Sequence, residues 1–425
     1  MKVHEVHEVP MQMTAKYWTR GTLIVGAVAL MGMLGYLYRM FFGLEAATNL
    51  DDQWPWGIWI AIDVASGVAL AAGGFTTAAL AEIFHKEKYH VILRPALLTA
   101  MLGYTFVVIG LLADLGRYYN VWHPMLPSMW QGNSVLFEVG MCVMVYLTVL
   151  YVEFMPIVCE RFKGKVAWPG PLKAFNKLTE AILALAERLL GRFVFVFIIM
   201  GVVLSCLHQS SLGTLMVIAP TKMHPLWYTT ISPLLFLMSA IAVGFPMVIF
   251  ESIIASKSFK LVPETKVLSS LAKYTPMLLG AYLVAKILDL TLRNAWGYVF
   301  EGSLQSFMWM IEIGGGVVLP IILLSMDKVR KSVKGLFISA TLVIILGVLL
   351  NRINVFLIAY TPLYSVKSYF PSLIEMMVTI GLVAVLVLVY RFFVITFPVI
   401  AVHPIDKSKD SMAASVSPAG VKRNK

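Results

Sequence analysis

Apolar residues fill ten long stretches of the chain, near residues 22–42, 57–84, 91–112, 135–158, 193–212, 229–255, 274–292, 303–325, 335–357 and 372–400. About 20 such residues in a helix cross a hydrocarbon core of about 30 Å. The pattern predicts an all-α, polytopic membrane fold of about ten transmembrane helices, called spans one to ten below. The polar stretches between them alternate in kind. The N-terminus carries Lys2, Lys16 and Arg20, whereas the first loop has Glu45, Asp51 and Asp52 and no base. Lys86, Lys88 and Arg94 follow span two, and Arg117 is the one full cation after span three. The loop after span four holds Arg161, Lys163, Lys165, Lys173, Lys177, Arg188 and Arg192. Lys257, Lys260, Lys266 and Lys273 follow span six, and Lys328, Arg330, Lys331 and Lys334 follow span eight. Every even-numbered loop is basic, which by the positive-inside rule puts both termini in the cytoplasm.

The spans group further. Asp114 closes span three and Arg117 follows; Asp289 closes span seven and Arg293 follows. Span four opens with Phe-Glu-Val-Gly (137–140), and span eight contains Ile-Glu-Ile-Gly (311–314). The Asp-to-Glu separations are 24 and 23 residues. This echo predicts a parallel duplication of a four-helix unit. The expected division is a tail and first span (1–43), a first bundle (54–215), a second bundle (226–357), a last span (370–402) and a disordered tail (403–425). Within the first bundle, 171–190 reads as an amphipathic helix on the cytoplasmic surface, because Leu178, Ile182, Leu185 and Leu189 recur at helical spacing.

Composition supports the membrane assignment: of 425 residues, 59% are hydrophobic and 13% charged, against about 25% charged in soluble domains. The net charge of +11 is accounted for by the basic loops, so nucleic acid is not an expected partner; the lipid bilayer is. Three cysteines, Cys142, Cys159 and Cys206, lack CxxC spacing, so neither an iron–sulfur cluster nor a disulfide framework is expected. The first apolar run is too long for a cleaved signal peptide, and no small-residue cleavage site follows it.

Charges inside spans are costly, about 2.5–3.5 kcal/mol each at mid-helix on the insertion scale, and single out candidate sites. Span four carries two acids, Glu138 and Glu153. They lie about 22 Å apart along the axis and about 60° around it, as members of a vertical proton path would. Asp63 lies beside a run of small residues in span two, which lets helices approach closely and predicts that it faces the bundle interior. His208 and Gln209 fall in span five, while Glu251, Lys286, Asp289 and Glu312 mark the second bundle. Asp114/Arg117 and Asp289/Arg293 read first as ion pairs holding helix ends. Of eight histidines, only His208 is well inside a span; His4, His7, His85, His90, His123, His224 and His403 flank spans or lie in loops and tails. A haem is therefore not expected. The aromatic cluster Trp54-Pro55-Trp56-Gly57-Ile58-Trp59 reads as an interfacial belt, or as a slot for a quinone ring.

Five stretches carry a resemblance: Trp-Pro-Trp-Gly-Ile-Trp-Ile-Ala-Ile-Asp (54–63), Ala-Leu-Ala-Ala-Gly-Gly-Phe (69–75), Ala-Asp-Leu-Gly-Arg (113–117), Leu-His-Gln-Ser-Ser-Leu-Gly-Thr-Leu (207–215) and Leu-Asn-Arg-Ile-Asn-Val (350–355). With these the chain resembles the NrfD/PsrC family of membrane subunits, in particular its HybB-like hydrogenase branch, with the membrane subunit of menaquinone reductase complexes close beside it. One departure is Tyr118-Tyr119-Asn120, where many relatives have proline and another base. The resemblance implies a quinone-reactive subunit of an oxidoreductase complex, without haem or iron–sulfur cluster of its own. A periplasmic iron–sulfur subunit would pass it electrons from a catalytic subunit of hydrogenase, molybdopterin or multihaem cytochrome type. Menaquinone or another quinone would bind near the outer face at Trp59, Asp63, Glu138, His208 and Gln209. Glu138, Glu153 and Asp63 would transfer protons, and Glu251, Lys286, Asp289 and Glu312 would extend a proton path. Buried acids and a duplication also suit a proton-coupled secondary transporter, although no matching pair of broken helices is visible in the sequence.

Overall fold

The computed structural model describes residues 9–365 and 367–402. Lys2, His4, His7, His403 and the tail 403–425 expected to be disordered lie outside the described residues. Ten helices are long and apolar enough to cross a membrane: Arg20–Phe42, Trp59–Ile83, Glu87–Asp114, Val135–Phe162, Phe195–Val217, Ser232–Phe259, Thr265–Leu292, Leu304–Ser325, Val333–Ile358 and Leu373–Thr396. The protein is thus an all-α, multi-pass membrane protein, with the spans in the order of its apolar runs. Span seven consists of Thr265–Leu271 and Tyr274–Leu292 separated by a turn at Ala272–Lys273, and span four outruns its apolar run to end at Phe162. Backbone hydrogen bonding continues where the side chains turn polar.

Spans two to five close into one ring, each packing on the next and span two on span five; spans six to nine repeat that order of neighbours. Span six joins the rings through spans two and five, and spans one and ten pair along their length against span three. A short antiparallel ribbon, Val9–Met11 against Ile400–Val402, ties the described ends together at the end of the molecule where the basic loops lie. An even number of spans requires this. The two ends are called the basic-loop end and the opposite end.

Span two is the centre of the packing, with 78% of its apolar window buried against 22% for spans one and four. Its small residues make this possible. A Cβ on Gly74 would lie 2.4 Å from Ala100 Cβ of span three, and one on Gly244 of span six 2.4 Å from Thr76 Oγ1. Without side chains at these two positions, three backbones come together. Span two is also irregular: wide π-type turns form Trp59–Ser66 and Ala79–Ile83, and the helix is interrupted at Ala71–Ala72. Its counterpart under the duplication, span six, runs uninterrupted from Ser232 to Phe259.

One expected element differs. The amphipathic segment 171–190 is not a separate surface helix: from Asn176 it runs without a break into span five, as one 42-residue helix ending at Val217. Its inner face packs on the end of span four, where Cys159 Sγ meets Leu183 O and the Gly164 N–H donates to Glu180. No proline separates the polar and apolar parts, so the backbone ladder continues through Gly191.

Candidate functional site

The interruption in span two creates the first polar feature of the core. Ala72 N–H bonds the carbonyl of Ala69 at 3.2 Å, leaving the Val68 carbonyl without its α-helical donor. The fully buried Gln209 of span five supplies one, its Nε2 donating to Val68 O at 2.8 Å. A freed carbonyl inside a membrane protein needs such a partner. His208, the preceding residue, is buried, with Nδ1 3.3 Å from the Tyr104 hydroxyl of span three. Tyr104 in turn meets Tyr146 of span four edge-on, with ring centroids 4.5 Å apart. His208 Nε2 and Gln209 Oε1 are buried and have no hydrogen-bond partner. Most buried polar atoms have one, so two open valences on adjacent residues are a candidate ligand contact.

Glu138 stands at the opposite end of the same ring. It lies in the first turn of span four, exposed, and accepts from the Ser211 hydroxyl at 2.5 Å. Ser211 follows His208 by one helical turn, so Glu138 joins the rim of this site. Glu153 lies towards the basic-loop end, partly buried, lining a cavity of about 150 Å³ with Tyr146 and Glu82.

Asp63 and Trp59 do not join this group. Asp63 accepts from Thr379 of span ten at 2.6 Å and lies against Gly110 of span three. The Trp59 indole N–H donates to the Glu375 carbonyl of span ten at 3.1 Å, and its ring packs with Tyr36, Ala113 and Val378. Both side chains therefore face the seam with spans one, three and ten. Asp63 faces neighbouring helices, as expected, but at the seam with span ten and away from Gln209 and His208. Span two is apolar on all sides, so sequence periodicity could not mark its inward face.

That seam contains residues the sequence reading missed. Arg39 of span one is fully buried and donates to the carbonyls of Ala113 and Leu115, both at 2.5 Å. A cation there meets the negative end of the helix dipole of span three and acts on Asp114. The expected Asp114–Arg117 pair is not formed, since the backbone turns extended at Leu115 and carries Arg117 away, and Asp114 Oδ1 has no hydrogen-bond partner. Glu375, also fully buried, accepts from Tyr369 OH, Ser372 N and Asn49 N. Three donors on one carboxyl could have been foreseen only from its capping spacing, Ser372 to Glu375.

The second ring holds a denser cluster. Glu312 accepts from Trp227 Nε1 at 2.9 Å, Asn351 Nδ2 at 2.7 Å and Asn354 Nδ2 at 2.8 Å, with Lys286 Nζ 3.9 Å away. Asp289 is clamped by Arg293 at 2.6 and 3.0 Å and by Thr229 at 2.5 Å, as its expected ion pair requires. Arg352 lies with its guanidinium 3.8 Å from the centre of the Phe236 ring and donates to Ser239. Glu251 is apart from all of these. It accepts from Tyr390 of span ten at 2.7 Å, and Tyr390 lines a cavity of about 620 Å³ among the basic-loop segments.

A quinone offers two carbonyl acceptors on an apolar ring, and its quinol two hydroxyl donors. His208 Nε2 can donate to a quinone carbonyl or accept from a quinol hydroxyl according to its tautomer, and Gln209 Oε1 can accept from a quinol hydroxyl. Among the described residues, His208 alone of the histidines lies in the interior of a span.

Residues 46–363 match the family model described as polysulphide reductase, NrfD. The chain belongs to the NrfD family. A protein of Nitratidesulfovibrio vulgaris strain Hildenborough, whose name states no activity, is 39% identical over 395 residues, covering 91% of this chain and 96% of its own. The probable Ni/Fe-hydrogenase 2 b-type cytochrome subunit of Escherichia coli K12 is 32% identical, covering 92% of this chain and 95% of its own. The menaquinone reductase integral membrane subunit of N. vulgaris is 27% identical, covering 85% and 88%.

Proposed function

We propose that this chain is the membrane subunit of a redox complex that passes electrons to a quinone, menaquinone being the first candidate. The names of two relatives, one a hydrogenase subunit and one a menaquinone reductase subunit, support this reading. The observation that carries it is the pair of buried, unpartnered atoms His208 Nε2 and Gln209 Oε1 inside the first ring. The basic-loop end faces the cytoplasm. An iron–sulfur partner docks at the opposite, periplasmic end and relays electrons from a hydrogenase, molybdopterin or multihaem catalytic subunit. The bound quinone supplies the redox chemistry.

This chain's residues bind and move protons. His208 and Gln209 hold the head group, with Gln209 kept in register by Val68 O. Glu138, hydrogen-bonded through Ser211, exchanges protons at the rim, and Glu153 draws them from the basic-loop side. Asp63 and Trp59 serve the seam with span ten, so their part in quinone binding is indirect. Glu251, Lys286, Asp289 and Glu312 form a further candidate route for proton translocation, with Glu251 reached from the large basic-loop cavity. The two rings are read as duplicated units, which their shared order of neighbours supports.

The test is quinone-linked turnover of the purified complex carrying Glu138→Gln. Turnover should fall at least tenfold; unchanged turnover sinks the role given to Glu138. One relative's name, a b-type cytochrome subunit, favours a second reading with haem. A Soret band in the isolated chain would establish that reading.

A further inference from the structure

Tyr146, Ser205 and Tyr104 have no part in the function derived so far, yet they occupy the space between its two ends. Glu153 and Tyr146 are seven residues apart on span four, two turns and about 10.5 Å along one face. Both line the cavity of about 150 Å³, which also reaches Glu82 near the end of span two. A water takes up about 30 Å³ in the liquid, so several fit in that volume. Gly201 of span five shapes the cavity: a Cβ there would lie 2.7 Å from Glu153 Oε1, so only glycine leaves the carboxyl its place.

Above the cavity Tyr146 packs edge-on against Tyr104, which reaches His208, and no standard hydrogen bond joins the two tyrosines. Tyr146 is 1% and Tyr104 0% exposed. Ser205, fully buried on span five, stands beside both tyrosine hydroxyls. Its own oxygen is engaged in no hydrogen bond of standard geometry, so it is free to turn between them. Tyr104 OH then meets His208 Nδ1 at 3.3 Å, and the far nitrogen, Nε2, is unpartnered. Straight up span four, the group between Tyr146 and Glu138 on their shared face is the Cys142 thiol, a weak hydrogen-bond donor and a poorer relay than a hydroxyl.

We propose that Tyr146, Ser205 and Tyr104 form a hydroxyl relay that carries protons from the Glu153 cavity to His208, and not to Glu138. In each passage a hydroxyl oxygen accepts one proton and releases its own to the next group. His208 takes a proton at Nδ1 and yields one from Nε2, so a single proton moves and every group keeps its proton count. This rests on the reading that His208 faces the quinone.

The test uses the reconstituted complex with Tyr146→Phe, which keeps the edge-on ring pair, and Ser205→Ala. Quinone-linked turnover, its solvent deuterium isotope effect and binding of a fluorescent quinone analogue are measured together. Turnover should fall at least tenfold in both variants and the isotope effect should rise, with analogue affinity within twofold of wild type. Ser205→Thr, which restores a hydroxyl, should recover most of the rate. Turnover within twofold of wild type in either folded variant overturns the relay. So does a loss in Ser205→Ala that Ser205→Thr leaves unrepaired, since a packing role would behave that way. A wild-type complex that neither turns over nor binds the analogue overturns the quinone reading itself, and the relay with it.

Discussion

Glu312 and Glu138 stand in similar motifs, but their surroundings differ. Glu312 is fully buried with three N–H donors and Lys286 around it, so its charge is compensated in place. Glu138 is exposed and has one hydroxyl donor. A group that must gain and lose protons is better served by the second setting. Glu312→Ala would leave Lys286 and three buried donors unpaired, a loss of about 3–5 kcal/mol where one partner of a buried pair is removed. The purified variant should therefore unfold at a lower temperature than Glu138→Ala; equal melting of the two would contradict these roles. The motif was legible in the sequence, but the difference in burial was not, because it is set by Asn351, Asn354 and Trp227 from elsewhere in the chain.

At the level of elements, run length gave the ten spans because lipid thickness fixes helix length. It could not give the interruption at Ala71–Ala72, which depends on what span two packs against. Its small residues allow close contact, and Gln209 satisfies the carbonyl released. The seam that Asp63 faces and the Arg39 cation near Asp114 escaped for the same reason: both depend on spans one and ten folding back onto span three. Gly244→Val tests the close contact at span two. The new side chain would collide with Thr76, and overpacking of this kind typically costs about 1–3 kcal/mol. Lower yield of monodisperse protein and weaker quinone binding should follow, and Thr76→Ala should recover part of both. Wild-type behaviour of Gly244→Val would contradict the packing described.

Across the whole molecule, the two rings divide the polar groups unequally. The first ring combines open valences at His208 and Gln209, a rim acid and a cavity acid. The second keeps Glu312 and Asp289 saturated with donors. Trp309 Nε1, Arg352 Nε and Asn354 Oδ1 of the second ring are unpartnered as well, so the proposal of quinone chemistry in the first ring rests on its less saturated acids, Glu138 and Glu153. The most direct test is a fluorescence titration of the purified chain with the quinone analogue 2-heptyl-4-hydroxyquinoline N-oxide. The account predicts saturable binding at one site, competed by a soluble menaquinone analogue and weakened at least tenfold by His208→Ala but not by Glu312→Gln. Absence of saturable binding, or binding that His208→Ala leaves intact, would contradict it.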